Sequence, residues 1–391
     1  MELTKKQEEG LKIAVQRHRD GEKYTVIAGY AGTGKSTLVK FIVEALQVEP
    51  SKVCYATFTG KAAEVLRKKG NKNACTLHKL LYHHVPLPAG GFLRQPKPTI
   101  EYDVVVVDEI SMAPKSIIDV LFRHKCYVIC LGDPFQLPPV DKDEDNHLLD
   151  HPHVFLDQIV RQAEDSEIIQ LSMTVREGRP IQSMDGSNVK ILNKQEVSTG
   201  MLLWADQVLV GTNKEREKYN KTIRTLLGKG PLPEHGDKVI CLQNYWDDCS
   251  VNGDPLVNGT IGYLNYPTEG IVSFPYWIKS PTHHFNVISA GIKTDDTFYE
   301  MENLDRSMLL EGKECCEWRV AYQLRKAKRQ IGDILPREFA YGYAITCHKS
   351  QGSEWDKVLV LEEDFPRDRI EHARWLYTAC TRASDKLVLL R

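Results

Sequence analysis

The chain has 391 residues, 42% of them apolar, and carries 51 basic against 53 acidic side chains. That length accommodates two cores plus insertions, and a net charge of −2 excludes a protein that coats nucleic acid by bulk positive charge, while leaving room for a local basic groove. No run approaches the ~20 apolar residues of a membrane span, and the start, Met1-Glu2-Leu3-Thr4-Lys5-Lys6, lacks the apolar core of a secretion signal, so a cytoplasmic protein is expected.

The first predicted strand, Tyr24-Thr25-Val26-Ile27-Ala28, runs into Gly29-Tyr30-Ala31-Gly32-Thr33-Gly34-Lys35-Ser36, the spacing of a phosphate-binding loop. Glycines let successive backbone N–H groups turn toward phosphates, and a helix opening near Lys35 aims the positive end of its dipole at them. Lys35 is then the group that reaches the terminal phosphates and Ser36 the Mg²⁺ ligand. Further along, the apolar run Val104-Val105-Val106-Val107 reads as a strand buried on both faces that delivers Asp108-Glu109 at its C-terminal end, where open α/β sheets bind ligands. Asp108 is assigned to Mg²⁺ and Glu109 to the attacking water. Gly132-Asp133-Pro134-Phe135-Gln136 follows another strand and places Gln136 where it can sense a γ-phosphate.

Apolar runs followed by helical patterns recur at 24–28, 52–57, 102–107, 127–131, 207–211 and 357–361, the alternation of a doubly wound α/β fold. Two segments interrupt it. Residues 82–99 hold four prolines and a Gly-Gly pair around Phe92-Leu93 and predict a projecting hairpin or loop. Residues 229–335 are rich in short aromatic strands with turns such as Asn252-Gly253 and Asn258-Gly259, and predict an inserted β module. The basic stretch 319–329 (Arg319, Arg325, Lys326, Lys328, Arg329) looks helical and reads as a solvated face or a nucleic-acid contact. The ten cysteines lack paired CxxC spacing and are read as reduced thiols; Cys126 and Cys130 have no second Cys/His pair beside them to make a zinc site.

In order and spacing these motifs resemble the superfamily 1B helicases, the group typified by RecD and the phage Dda helicase, over nearly the whole chain. Leu3-Thr4-Lys5-Lys6-Gln7 is similar to the Q motif, in which Gln7 would recognise adenine. Gly29 to Ser36 looks like motif I, with Gly29, Ala31, Gly32, Thr33, Gly34, Lys35, Ser36 and Thr37 around the nucleotide. Thr57-Phe58-Thr59-Gly60-Lys61 resembles motif Ia, with Phe58 where proline is usual, and Thr76-Leu77-His78 the next DNA-contacting segment. Asp108-Glu109 resembles motif II, the stretch from Gly132 through Gln136 to Val140 motif III, and Arg161 falls where motif IV keeps an arginine. Thr346-Cys347-His348-Lys349-Ser350-Gln351-Gly352-Ser353-Glu354 is similar to motif V, with Gly352 and Glu354 toward the nucleotide, and Tyr377 to Ala383, containing Arg382, to motif VI.

The resemblance implies two RecA-like P-loop domains with a small β-hairpin (1B) insertion and an SH3-like β (2B) insertion. Residues 1–155 would form domain 1A with the 1B pin at about 82–99, residues 156–228 and 336–391 domain 2A, and 229–335 domain 2B. It further implies ATP and Mg²⁺ as cofactors, single-stranded DNA and duplex forks as partners, 5′ to 3′ travel and action as a monomer. Arg161 and Arg382 would supply positive charge to the spreading γ-phosphate from beyond the first domain. Phe58, Thr59, Lys61, Thr76, His78, Thr346, His348 and Lys349 would contact DNA, and Phe92 would be the pin's apolar tip. An RNA helicase, or a translocase that does not separate strands, remains the alternative. A small-metabolite kinase would not need Gln136, Arg382 and a second α/β domain, and a binding module would not need Lys35, Asp108 and Glu109.

Overall fold

The computed structural model describes residues 3–86, 92–138, 145–160, 165–251, 255–280, 282–331 and 334–391. Arg161, Pro139-Val140 and the Asn252-Gly253 turn lie outside the described residues, as do the side chains of Phe92, Lys328 and Arg329. The chain divides into two compact units: one comprises residues up to Leu81, Lys97–Arg216 and Ile345–Arg391, the other Tyr82–Pro96 and Glu217–Ala344.

In the first unit, β1 (Tyr24–Gly29), β2 (Val53–Thr57) and β3 (Ala74–Thr76) belong to a parallel sheet, while β4 (Tyr82–Pro86) and β5 (Phe92–Pro96) belong to the second unit. The same sheet is completed by β6 (Val104–Val107), β7 (Tyr127–Gly132) and β8 (Val154–Leu156), in the order β3-β2-β6-β7-β1-β8. Val104 to Val107 are fully buried because helices cover both faces, and each stabilises the fold by about 1.5–3 kcal/mol relative to exposure. The helix Lys5–Arg19 starts at a reciprocal cap, in which Thr4 Oγ1 accepts from Gln7 N–H and Gln7 Oε1 from Thr4 N–H. Its Ala14 joins Ile27, Leu38, Ile42 and Val106 in the core. Since β6, β7 and β1 are neighbours, the residues following them emerge side by side at one edge of the sheet.

A second sheet in this unit holds β9 (Met184–Asp185), β10 (Val189–Leu192) and β11 (Gln207–Val210). With β19 (Ala344–Thr346), β20 (Trp355–Leu361) and β21 (Ala383–Leu390) it has the order β19-β11-β20-β21-β10-β9. The pairs β11–β20, β20–β21 and β10–β21 are parallel and β9 is antiparallel to β10. The helix Arg369–Cys380 opens on Asp368, which accepts from the N–H groups of Ile370 and Glu371. Six consecutive residues, Trp375 to Cys380, are buried, so this is an interior helix and not an amphipathic one. Two such sheets make the chain an α/β protein with a parallel-sheet, RecA-like core.

The second unit is built on β12 (Lys238–Cys241), β15 (Ile261–Ser273), β16 (His284–Lys293), β17 (Phe298–Asp305) and β18 (Phe339–Tyr341), antiparallel in the order β17-β16-β15-β12-β18. A ribbon of β13 (Tyr245–Cys249) and β14 (Pro255–Leu256) accompanies them. Val239, Leu264, Ile288 and Phe339 fill one core cluster; Phe274, Ile278 and Phe285 meet the helix Trp318–Ile331 in another. The hairpin β4–β5 pairs Tyr82 with Pro96 through to Pro86 with Phe92. No helix among the described residues is long and apolar enough to cross a membrane.

Candidate active site

The loop after β1 needs its glycines. Gly34 sits at φ +76°, and a Cβ there would come within 2.4 Å of Gln7 Nε2. The helix Lys35–Ala45 follows, with Gly34 at its N-cap and no side chain bonded to the cap, so its first N–H groups point into the loop. Lys35 Nζ spans the loop and donates to the carbonyls of Gly29 at 2.6 Å and Tyr30 at 3.0 Å. Thr33 folds back through Oγ1 onto the Tyr30 carbonyl, 2.8 Å away. Gln7 is buried, its amide donating to the Thr33 and Gly34 carbonyls at 3.2 and 3.3 Å; the residue expected to read adenine therefore also holds the phosphate loop from behind.

A cavity of about 570 Å³ opens beside this loop, lined among others by Ala31, Lys35, Ser36, Asp108, Glu109, Gly352, Glu354 and Arg382. Residues from four separate stretches of the chain thus share one cleft. Burial first, and the Glu109 charge second, push the Asp108 carboxyl up to about 6, against the pull of Lys35. Glu109 has a left-handed backbone at φ +53° and donates its N–H to Asp108 Oδ1 at 3.0 Å. Gln136, its amide oriented to satisfy both neighbours, donates to Glu109 Oε2 at 3.0 Å and accepts from Arg382 Nη2 at 3.2 Å. Arg382 is 5% exposed and is held by the carbonyls of Thr378 and Ser353, with Nη1 4.0 Å from Glu109 Oε1. The acid, the amide and the guanidinium therefore form one contact chain across the cleft.

A second bridge uses residues the sequence reading quoted without assigning a role. Tyr377, 1% exposed, donates to Asp133 Oδ2 at 2.6 Å and accepts from the Ala31 N–H at 2.8 Å, tying the phosphate loop to the loop after β7. Burial raises the Asp133 carboxyl above its usual range. Leu137 N–H donates to Thr378 Oγ1 at 3.0 Å, and Gln351 Nε2 donates to the Leu137 carbonyl at 2.6 Å. At the rim Glu354 pairs with Lys69 at 2.8 Å.

The expected DNA-contact residues gather near strand ends. Thr57 and Thr76 are partners in register, so Phe58, Thr59 and His78 leave adjacent strands. The Phe58 and His78 rings lie 5.6 Å apart, with His78 buried. Thr59 caps the helix Gly60–Lys68, on which Lys61 sits, through Ala62 N–H. Gly352 approaches so closely that a Cβ would be 3.0 Å from Thr59 Oγ1. Thr346 ends β19; Lys349 and His348 follow in a single 3₁₀ turn, and burial holds the His348 imidazole below its usual range and thus neutral at pH 7. Phe92 opens β5 opposite Pro86.

A family profile described as an AAA domain matches residues 2–196, and one described as a UvrD-like helicase C-terminal domain matches residues 341–390. The ATP-dependent RecD2 DNA helicase of Deinococcus radiodurans is 27% identical over 384 residues, covering 94% of this chain and 46% of that protein. The ATP-dependent DNA helicase dda of Enterobacteria phage T4 is 25% identical over 249 residues, 57% of each chain. The chain thus carries an AAA domain followed by a UvrD-like helicase C-terminal domain, and it is similar to the RecD2 and Dda helicases. The chain spans about half the length of the curated relatives it matches. Among solved structures, the Bacteroides Pif1 helicase in complex with ADP-AlF3 and ssDNA superposes with a TM-score of 0.50 at 18% identity, covering 100% of this chain and 92% of that one, a likeness of fold.

Proposed function

We propose that the chain is an ATP-dependent DNA helicase that translocates 5′ to 3′ on single-stranded DNA and couples ATP hydrolysis to duplex unwinding. The observation that carries this reading is the Glu109–Gln136–Arg382 chain, because a hydrolase that controls a motor needs its water-orienting acid linked to a charge that arrives from a separate sheet. Lys35 would exchange its two carbonyl partners for the β- and γ-phosphates, and the N–H groups of Gly32, Gly34 and Lys35 would cradle them beside Thr33, Ser36 and Thr37. Glu109 would orient and deprotonate the attacking water, Gln136 would register the γ-phosphate, and Arg382, joined by Arg161, would neutralise its equatorial oxygens. Loss of the γ-phosphate would release the grip on Arg382 and let the cleft relax, moving one DNA contact set relative to the other.

The residues present fit a divalent cation. Ser36 and Asp108 line the same cavity, and Asp108, crowded by Glu109, gains from a counter-charge. Mg²⁺ keeps waters and phosphate oxygens for most of its positions and asks for only one or two protein ligands. When bound, that ion would neutralise charge between the β- and γ-phosphates.

In the same reading, residues 1–155 form domain 1A, 156–228 with 336–391 form domain 2A, 82–99 form the 1B pin, and 229–335 form an SH3-like 2B module. Phe58, Thr59, Lys61, Thr76, His78, Thr346, His348 and Lys349 would track the strand, with Phe92 at the fork. The protein would work as a cytoplasmic monomer. The test is ATP turnover with and without single-stranded DNA, together with displacement of 5′-tailed and 3′-tailed duplexes. Stimulated turnover with displacement from the 5′ tail alone is expected. Stimulation by RNA in place of DNA would move the assignment to an RNA helicase, and turnover indifferent to nucleic acid would refute it.

A further inference from the structure

The helix Trp318–Ile331 spends one face on the core of the second unit, where Val320, Leu324 and Ala327 pack against Phe274, Ile278 and Phe285. Its outer face is unlike a solvated helix. Trp318 is 69% exposed and Tyr322, one turn on, 50%, their ring centroids 6.4 Å apart. Cations interleave with them: the Arg319 guanidinium lies 5.8 Å from the Trp318 ring and the Lys326 ammonium 4.6 Å from the Tyr322 ring. Arg325 is also exposed, and no acid occurs from Trp318 to Ala327. Beside the helix, Tyr276 is 86% and Trp277 48% exposed on a loop held down by buried Ile278 and by the Lys279 N–H, which donates to Gln323 Oε1 at 3.1 Å. The acids that oppose this charge are Glu317, at the helix start, and Glu338, whose carboxyl feels Arg325.

We infer that the outer face of Trp318–Lys326, with the Tyr276-Trp277 loop, is a binding platform for single-stranded nucleic acid carried by the β module itself. Leaving four large rings in water costs free energy that a Lys/Glu-studded face avoids. Flat rings interleaved with cations match unpaired bases, which offer a π-face every nucleotide and a phosphate between; a duplex hides those faces. The platform rests on the helicase reading only in being a further hold on the same strand, and its binding needs neither ATP nor the cleft.

The test uses the full chain, without nucleotide, and measures the anisotropy of a labelled dT30 together with quenching of tryptophan emission. The double variant Trp318→Ala/Tyr322→Ala is expected to weaken dT30 binding about tenfold and to reduce quenching. Trp318→Phe/Tyr322→Phe, which keeps the rings, should restore most of the affinity. The triple variant Arg319→Gln/Arg325→Gln/Lys326→Gln should flatten the dependence of log affinity on log salt by about 2, at roughly 0.7 per phosphate contact. Circular dichroism melts check folding; should the alanine variant melt early, the triple variant decides. Unchanged dT30 affinity and salt slope would overturn the platform, and equal weakening for a blunt 30-base-pair duplex would overturn its single-strand assignment. A chain that fails to hydrolyse ATP would sink the helicase reading while leaving the anisotropy measurement fully readable.

Discussion

Lys35 in this structure is bonded to the carbonyls of Gly29 and Tyr30 in its own loop, so its charge is already committed to the place where phosphates would sit. Lys35→Ala is therefore expected to lower ATP turnover by more than about a hundredfold, the cost of losing a charge-stabilising donor, with binding of a dT oligomer in anisotropy largely intact. Tyr377 is a different case. Its hydroxyl serves both Asp133 and Ala31, so Tyr377→Phe leaves a buried carboxylate and a half-buried N–H each short of a partner; a stability loss of about 1–3 kcal/mol is expected in urea denaturation, with slowed turnover. Lys35, Asp108 and Arg382, singled out in the sequence by motif spacing, line one cavity in the fold. Tyr377 was not: a tyrosine in the apolar run Trp375 to Cys380 reads as core, and only the fold puts Asp133, 244 residues away, against its hydroxyl.

At the scale of elements, all six apolar runs singled out in the sequence became strands, because continuous β-branched stretches buried on both faces leave a strong signal. The strands that escaped notice are instructive. Ala383–Leu390 exposes the polar Ser384, Asp385 and Lys386 before its buried Leu-Val-Leu-Leu end, and Ala74–Thr76 is too short for any periodicity. The proline- and glycine-bounded stretch around Phe92 did form a hairpin, β4–β5, with Pro86 and Phe92 paired at its far end. Phe92→Ala is expected to preserve DNA-stimulated ATPase while slowing strand displacement, since a wedge acts on the fork and not on fuel. Parallel loss of both activities in the two assays would make Phe92 a packing residue.

For the molecule as a whole, pH is a lever on the second unit. Glu302 on β17 is driven up to about 7, first by burial and then by the neighbouring Asp248 charge, with Arg337 pulling the other way. Folding thus favours its protonated form: the contribution is fully present below the ordinary glutamate value and is lost as pH rises through about 7. Glu302→Gln is expected to gain on the order of 2 kcal/mol over the parent at pH 8 and almost nothing at pH 4.5, read from denaturation curves at both values. Motif order singled out residues that share one cavity, but the aromatic face at Trp318 was invisible in a list of basic residues, because which side of a helix meets the core depends on the strands beneath it. One consequence of the chain's routing reaches beyond this molecule. The backbone departs at Leu81 and comes home at Lys97, whose N–H bonds the Leu81 carbonyl at 2.8 Å, so the excursion between them is a closed loop-out whose feet already touch. Such a cassette can be swapped or clipped without re-threading the sheet, so its sequence is free to change by recombination while the strands β3-β2-β6-β7-β1-β8 keep their order.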